Sequence, residues 1–300
     1  MSLEIIKAGV RTTVQDLGRP GLAHLGVPRS GALDAGALRL ANRLAGNPPD
    51  AAGLEITLGG LRARANRAMT LAVTGAPGPV TIGRRPADPE LPLAVPAGAV
   101  IDIGRPTAGL RVYLAVGGGI AVPPVLGSRS TDTLSGLGPG PVRDGDVLPV
   151  GPPTALPPGV DVALRRQPPA ALRLRVWPGP RDDWFTADAW RTLLGADYRV
   201  SPQTDRIGAR LTGPALTRAI DGELPSEGVV LGAIQVPADG QPLIFLADHP
   251  TTGGYPVIGV VDPSDVDRLA QARPGTAIRF TRAPATRDRR TATRDQSTAP

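Results

Sequence analysis

Glycine and proline interrupt this 300-residue chain 38 and 35 times, more often than long helices tolerate. Glycine weakens a helix interior and proline removes an amide donor from it, so this punctuation favours short strands joined by tight turns. Between the breaks the apolar runs are well formed, which sets the chain apart from low-complexity sequence. A mainly β fold follows, with length enough for two ordinary domains.

Leu3 to Ala8, Met69 to Thr74, Ala99 to Ile103 and Leu110 to Val116 are short, apolar and bounded by Gly or Pro, as antiparallel strands should be. Leu172 to Val176 alternates cleanly, and Val229 to Val236, Leu243 to Ala247, Val257 to Val261 and Thr276 to Phe280 complete the strand pattern. In Ala97-Gly98-Ala99, Asp144-Gly145-Asp146 and Pro274-Gly275-Thr276 a glycine precedes an apolar strand, which predicts a turn. Capping signals predict three helices. Asp34 opens the first, with Leu38, Ala41, Leu44 and Ala45 on one face, Asn42 one residue off that stripe and Gly46-Asn47-Pro48 as the stop. Thr186 opens the second, flanked by Phe185 and Trp190 at hydrophobic-staple spacing and ended at Gly195. Asp262 and Pro263 open the third, with Val266, Leu269 and Ala270 inward. Six prolines between Gly151 and Ala170 predict a semi-rigid linker dividing a first domain, residues 1–150, from a second, residues 171–281, while residues 282–300 read as a disordered basic tail.

The formal net charge of +6 is less basic than it looks, because Arg282, Arg287, Arg289, Arg290 and Arg294 stand in that tail against only Asp288 and Asp295. The body has no basic cluster interleaved with aromatics, which argues against nucleic-acid binding. Without cysteine, thiol catalysis and thiolate metal sites are excluded, and His24 and His249 alone do not make a histidine-rich metal centre. No early apolar segment follows the start and no run approaches the roughly 20 residues of a membrane span. The expectation is a soluble, cytoplasmic protein with no membrane or metal site.

Polar side chains gather at Gly-rich turns, where binding residues are commonly presented. The clusters are Gln15-Asp16 with Gly18-Arg19, Gly127 to Thr133 (GSRSTDT), Asp205 to Arg210 (DRIGAR), and Asp248 to Pro256 (DHPTTGGYP), with Ser226-Glu227 and Gln235 just before the last. The Gly253-Gly254 pair can take positive φ, so the TTGGY turn is a candidate nest for an anion or a developing oxyanion, with Thr251, Thr252 and Tyr255 adding hydroxyls. A tight hairpin is its structural alternative. Neither a GxxxxGK[ST] phosphate loop nor a GxSxG elbow is present.

In order, the stretches VQDLGRPG, GVPRSGALDAGALRLANRLAGN, LEITLGG, GSRSTDT, DRIGARL, SEGVVLGAIQVPADGQPLIFLADHPTTGGYPVIG and PGTAIRF resemble the biotin-dependent carboxyltransferase family. That family is also called the allophanate hydrolase subunit 2 or Kip-antagonist family, and it includes the C subunit of 5-oxoprolinase. The resemblance runs from about residue 3 to 280 and implies two cyclophilin-like β-barrel domains. It implies a role beside 5-oxoprolinase subunits A and B, with the B subunit as direct partner, in cleaving 5-oxo-L-proline to L-glutamate using ATP with Mg2+. Two other roles in the family are carboxyl transfer to urea or a related amide through carboxybiotin, and non-catalytic binding of a histidine-kinase-inhibitor homologue. Lactam opening would assign Asp16, Arg19, Arg206, Glu227 and Asp248 to catalysis. Gln15, Ser128, Arg129, Asp132, Asp205, Arg210, Gln235, Thr251, Thr252, Gly253, Gly254 and Tyr255 would bind substrate or phosphate. Where the family more often reads Asp-Arg-Gln before TTGGY, this chain has Asp248-His249-Pro250, which leaves the substrate open.

Overall fold

The computed structural model describes residues 1–156, 159, 167, 168, 170–222 and 224–284. Much of the predicted linker, and the predicted tail from residue 285 onward, lie outside the described residues. Twenty short strands and three α-helices are present among them: α1 (Ala35–Leu44), α2 (Ala187–Gly195) and α3 (Pro263–Leu269). The protein is mainly β.

The first half holds its core between two antiparallel sheets. One contributes Leu3, Ile5, Ala63 and Ile101, the other Leu54, Ile56, Leu71 and Leu114. The second of these sheets is covered on its other face as well, where Leu38, Ala41 and Leu44 of α1 pack on Ala72, Tyr113 and Ala115. Burial on both faces erases alternation, so every residue of Arg111–Val116 is buried. Gly53–Thr57 pairs with both Arg11–Gln15 and Arg111–Val116, and this central place carries the carboxylate of Glu55 into the interior.

The second half is a closed seven-stranded barrel. Ala171–Pro178 and Ala277–Arg282 close it in parallel, with Ala171 beside Ala277 and Val176 beside Arg282. Arg282, placed by the sequence at the head of the tail, is therefore the last residue of a strand. Leu174, Tyr198, Leu211, Ile244 and Phe280 fill the centre.

Capping chemistry sets the helix starts as the sequence indicates. Asp34 accepts the Ala37 N–H at 2.9 Å, Thr186 that of Ala189 at 3.2 Å and Asp262 that of Ser264 at 3.1 Å. Asn42 is fully buried and donates to the Ala51 carbonyl at 2.7 Å, bracing the chain just beyond its own helix. Gly98, Gly145 and Gly275 have φ of 77°, 88° and 86°, and a Cβ on any of them would meet nothing within 4 Å. Positive φ, rather than lack of space, selects glycine there. Two readings need correction. Val229 to Val236 shortens to the strand Ala233–Gln235, and Gln15 belongs to the strand Arg11–Gln15 rather than to the turn after it.

Gln271, just past α3, ties the halves together. Its carbonyl accepts the N–H groups of Leu110 and Arg111 at 3.0 and 2.9 Å, and its amide donates to Asp34 at 2.8 Å and to the Arg111 carbonyl at 3.1 Å.

Candidate functional site

The turn residues predicted from sequence resolve into three groups. At the seam between the halves Arg206, 2% exposed, donates through Nη1 to Glu55 Oε1 at 2.5 Å and through Nη2 to the Gly31 carbonyl at 2.6 Å. Its Nε and Nη2 also grip Asp248 at 2.9 and 3.0 Å. Asp248 further accepts Ser30 Oγ at 2.8 Å and both the N–H and the hydroxyl of Thr133 at 2.9 and 2.7 Å. Glu55 Oε2 accepts the Leu33 N–H at 2.9 Å and the Tyr113 hydroxyl at 2.8 Å, while Arg111 Nε stands 3.4 Å from its other oxygen. Burial disfavours all these charges, yet Arg206 holds Glu55 and Asp248 below the usual carboxylate range, and the two carboxylates raise Arg206 in return. Each carboxylate oxygen is taken, while the buried Arg111 Nε is left without a hydrogen-bond partner, so this cluster is a tie between the halves. Glu55, Arg111 and Tyr113 escape sequence reasoning. The available signal was a lone glutamate inside the apolar run Leu54-Glu55-Ile56.

The second group belongs to the first half. Asp16 accepts Ser128 Oγ at 2.6 Å, Ser130 Oγ at 2.5 Å, the Gly18 N–H at 2.8 Å and the Arg129 N–H at 2.6 Å. Arg19 donates to the Ser130 carbonyl at 2.6 Å and Gln15 to that of Thr131 at 2.9 Å. Arg129 Nε reaches the Val122 carbonyl at 2.7 Å, and Asp132 accepts the N–H groups of Leu134 and Ser135 at 2.9 and 3.1 Å. Four buried polar atoms here have no protein partner: Gln15 Oε1, Arg19 Nη1, Thr131 Oγ1 and Asp132 Oδ2. Buried polar atoms of this kind are ordinarily met by internal water.

The third group surrounds the TTGGY turn. Thr252–Gly253 pairs with Glu227–Gly228 as a two-stranded ribbon, Glu227 opposite Gly253. Neither glycine of the turn takes positive φ, which overturns the expected nest. Gly253 is needed for space instead, because a Cβ there would lie 2.6 Å from Gln235 Nε2. That amide, 4% exposed, donates to the Tyr255 carbonyl at 3.0 Å. Arg181 forks onto Glu227, with Nε 3.0 and 2.9 Å from its two oxygens, and the fork holds Glu227 below the usual carboxylate range although burial opposes it. Arg218 donates to the Val236 carbonyl at 2.6 Å and lies 5.9 Å from the centre of the half-exposed Tyr255 ring. Arg181, Arg218 and Ser226 sit with these groups, and the two arginines had no signature in sequence beyond their type.

Strand register separates the first and third groups. Gln235 pairs with Leu243 and Val257, whereas Phe245, from which the chain runs on to Asp248, pairs with Gly208 just after Arg206. The TTGGY ribbon thus occupies the barrel rim opposite the seam, and Asp248 and Gln235 serve different ends. Asp205 accepts the Ile207 and Gly208 N–H groups at 2.8 and 3.1 Å and shapes its own turn, while Arg210 points outward from its strand. His249, 7% exposed, has Nδ1 2.6 Å from the Pro250 carbonyl, so Nδ1 carries the proton and Nε2 remains an acceptor. Burial lowers its basicity.

The chain is 40% identical to the C subunit of 5-oxoprolinase from Escherichia coli (strain K12) over 281 residues, 93% of this chain and 90% of that protein. The crystal structure of TTHA0988 superposes with a TM-score of 0.86 at 39% identity, and the match spans 93% of this chain but only 55% of that one. The K. lactis urea amidolyase structure gives a TM-score of 0.88 at 30% identity over 94% of this chain and 19% of the other. Residues 25–282 match the family described as carboxyltransferase domain, subdomain A and B, and the chain belongs to that family.

Proposed function

We propose that the chain is the C subunit of an ATP-dependent 5-oxoprolinase, acting with subunits A and B, with the B subunit as its direct partner, in the cytoplasm. One observation carries this reading: the chain matches nearly the whole length of a protein named as the C subunit of 5-oxoprolinase, and only 19% of the urea amidolyase chain. The reaction adds water across the lactam C–N bond of 5-oxo-L-proline and releases L-glutamate, its ring nitrogen taking up a proton. The ribbon rim is the surface that would meet this substrate. Thr251, Thr252 and Tyr255 offer hydroxyls, Gln235 sets the ribbon's spacing, and Glu227, held ionised by Arg181, is the carboxylate to accept a proton from the attacking water. Arg206 and Asp248 then act as positioning residues, since their bonds are already filled.

Mg2+ and ATP fit this chain poorly when it is considered alone. Arg181 is committed to Glu227, and among the described residues no three His, Asp or Glu side chains gather as a metal site. Nucleotide chemistry is therefore assigned to the assembled complex.

The fold match to urea amidolyase supports a second reading, carboxyl transfer to urea or a related amide from a biotin carrier in trans. Reconstitution with subunits A and B separates the two. The first reading expects ATP-dependent glutamate formation from 5-oxoproline only when all three subunits are present. No consumption of 5-oxoproline by that mixture, with urea turned over when a biotin carboxylase and carrier are added, would establish the second.

A further inference from the structure

A small cavity of about 60 Å3 lies in the seam between the halves. Ser30 and Leu33, both bonded to members of the Arg206 tie, line it from the first half, and Leu231, His249 and Val266 line it from the second. Its wall is mostly apolar. Of the polar groups there, two are already engaged: the Ser30 hydroxyl donates to Asp248 at 2.8 Å, and Asp267 accepts the Gly36 N–H at 3.3 Å. Two others are open. Arg29 is exposed, and its guanidinium makes no hydrogen bond or ion pair with any described residue. His249 is buried and spends Nδ1 on the Pro250 carbonyl, so the unprotonated Nε2 across the ring is left without a partner among the described residues. Burial lowers the basicity of this imidazole, and the charge of Arg29 adds to that against the pull of the Pro250 carbonyl, Asp248 and Asp132. The ring therefore presents a lone pair rather than a proton.

We propose that this cavity binds a small 2-hydroxycarboxylate, of which glycolate is the simplest, with its carboxylate on Arg29 and its hydroxyl donating to His249 Nε2. A carboxylate matches the planar fork of arginine. A bare imidazole nitrogen needs a donor, which the 2-hydroxyl supplies beside the carboxylate. Apolar walls such as Leu33 and Val266 favour a carbon body over a mineral anion. The volume is roughly that of two waters, each taking about 30 Å3 in the liquid, which limits the ligand to a handful of non-hydrogen atoms.

Imidazole NMR on the full chain, with neither ATP nor partner subunits, reads this site apart from the turnover proposed above. His24 and His249 are the chain's two histidines, and His24→Gln assigns their signals. The free chain should show His249 protonated on Nδ1 alone, and glycolate should shift its Nε2 resonance saturably. Acetate, which lacks the hydroxyl, and ethylene glycol, which lacks the carboxylate, should bind about tenfold more weakly or worse, as loss of one such contact implies. Phosphate tests the mineral alternative and should bind no better than acetate. Arg29→Ala, at an exposed position, should cut glycolate affinity by about tenfold while the melting temperature of the free chain holds. The proposal is overturned by a free His249 protonated on Nε2, by the absence of a saturable glycolate shift, by acetate or phosphate binding as tightly as glycolate, or by unchanged affinity in Arg29→Ala.

Discussion

Arg206 and Glu55 meet at 2.5 Å, although 150 residues of chain lie between them and each belongs to a different half of the molecule. Both are buried, with 2% and 1% of their surface exposed. Removing one member of such a pair strands the other's charge in the interior. Arg206→Ala should therefore cost about 3–5 kcal/mol of stability. Chemical denaturation followed by tryptophan fluorescence checks this, and a loss below ~1 kcal/mol would show that the tie does not hold the halves.

Gln271→Leu keeps the volume but leaves the N–H groups of Leu110 and Arg111 without their acceptor. Each unpaired buried group costs about 1–3 kcal/mol, so the variant should be destabilised by about 2–6 kcal/mol. The same denaturation measurement applies.

Asp34 has its carboxyl pushed up to about 6 by burial, with the neighbouring carboxylates of Asp267 and Glu55 adding to the effect and its hydrogen bonds to Gln271 and Ala37 opposing it. A carboxylic acid raised on folding binds its proton more tightly in the folded state. Its contribution to stability is thus complete below pH ~4 and declines as pH rises toward 6. NMR titration of the Asp34 carboxyl should show a midpoint near 6, and Asp267→Asn should move that midpoint down. A midpoint in the ordinary aspartate range would contradict the burial seen here.

Glu227→Gln keeps the ribbon but removes the charge that Arg181 holds. Turnover by the reconstituted complex should fall on the order of a hundredfold, with the melting temperature little changed because both partners are partly exposed. Gly253→Ala acts on the same rim through space. It displaces the Gln235 amide from the Tyr255 carbonyl, with a stability loss of about 1–2 kcal/mol and a larger proportional loss of turnover. Wild-type rates in both variants would remove the ribbon from the site.

Much of the fold could be read from residues whose effect is local. Asp34, Thr186 and Asp262 announce their helices because a cap bonds within its own first turn, and Gly98, Gly145 and Gly275 announce turns because positive φ is a property of one residue. Glu55 is the counterexample. Leu54-Glu55-Ile56 looks like any short strand with one polar position, and only a sheet covered on both faces makes that position an interior one. TTGGY misled for a related reason: Gly253 answers to Gln235, eighteen residues earlier, and nothing in the turn itself records that approach. Arg206 and Asp248 stood out as polar residues at Gly-rich turns, but which partners filled their bonds depended on chain that packs from the other half.

The parallel pairing of the barrel's first and last strands decides where a fusion made at the end of the last strand would start. Val176 lies beside Arg282, and the Ala283 N–H continues the ladder to the Val176 carbonyl, only a few residues short of Arg181, whose N–H meets Val257 at the ribbon rim. Strands advance about 3.3 Å per residue, so a protein or tag joined after Arg282 would be anchored on the order of 15–20 Å from that rim. It would stand at the opposite end of the barrel from the seam. A protein joined at Arg282, with residues 283–300 removed, thus leaves the union of the halves untouched but crowds the ribbon, whereas a spacer long enough to clear it turns the same attachment point into a short tether for cargo delivered there.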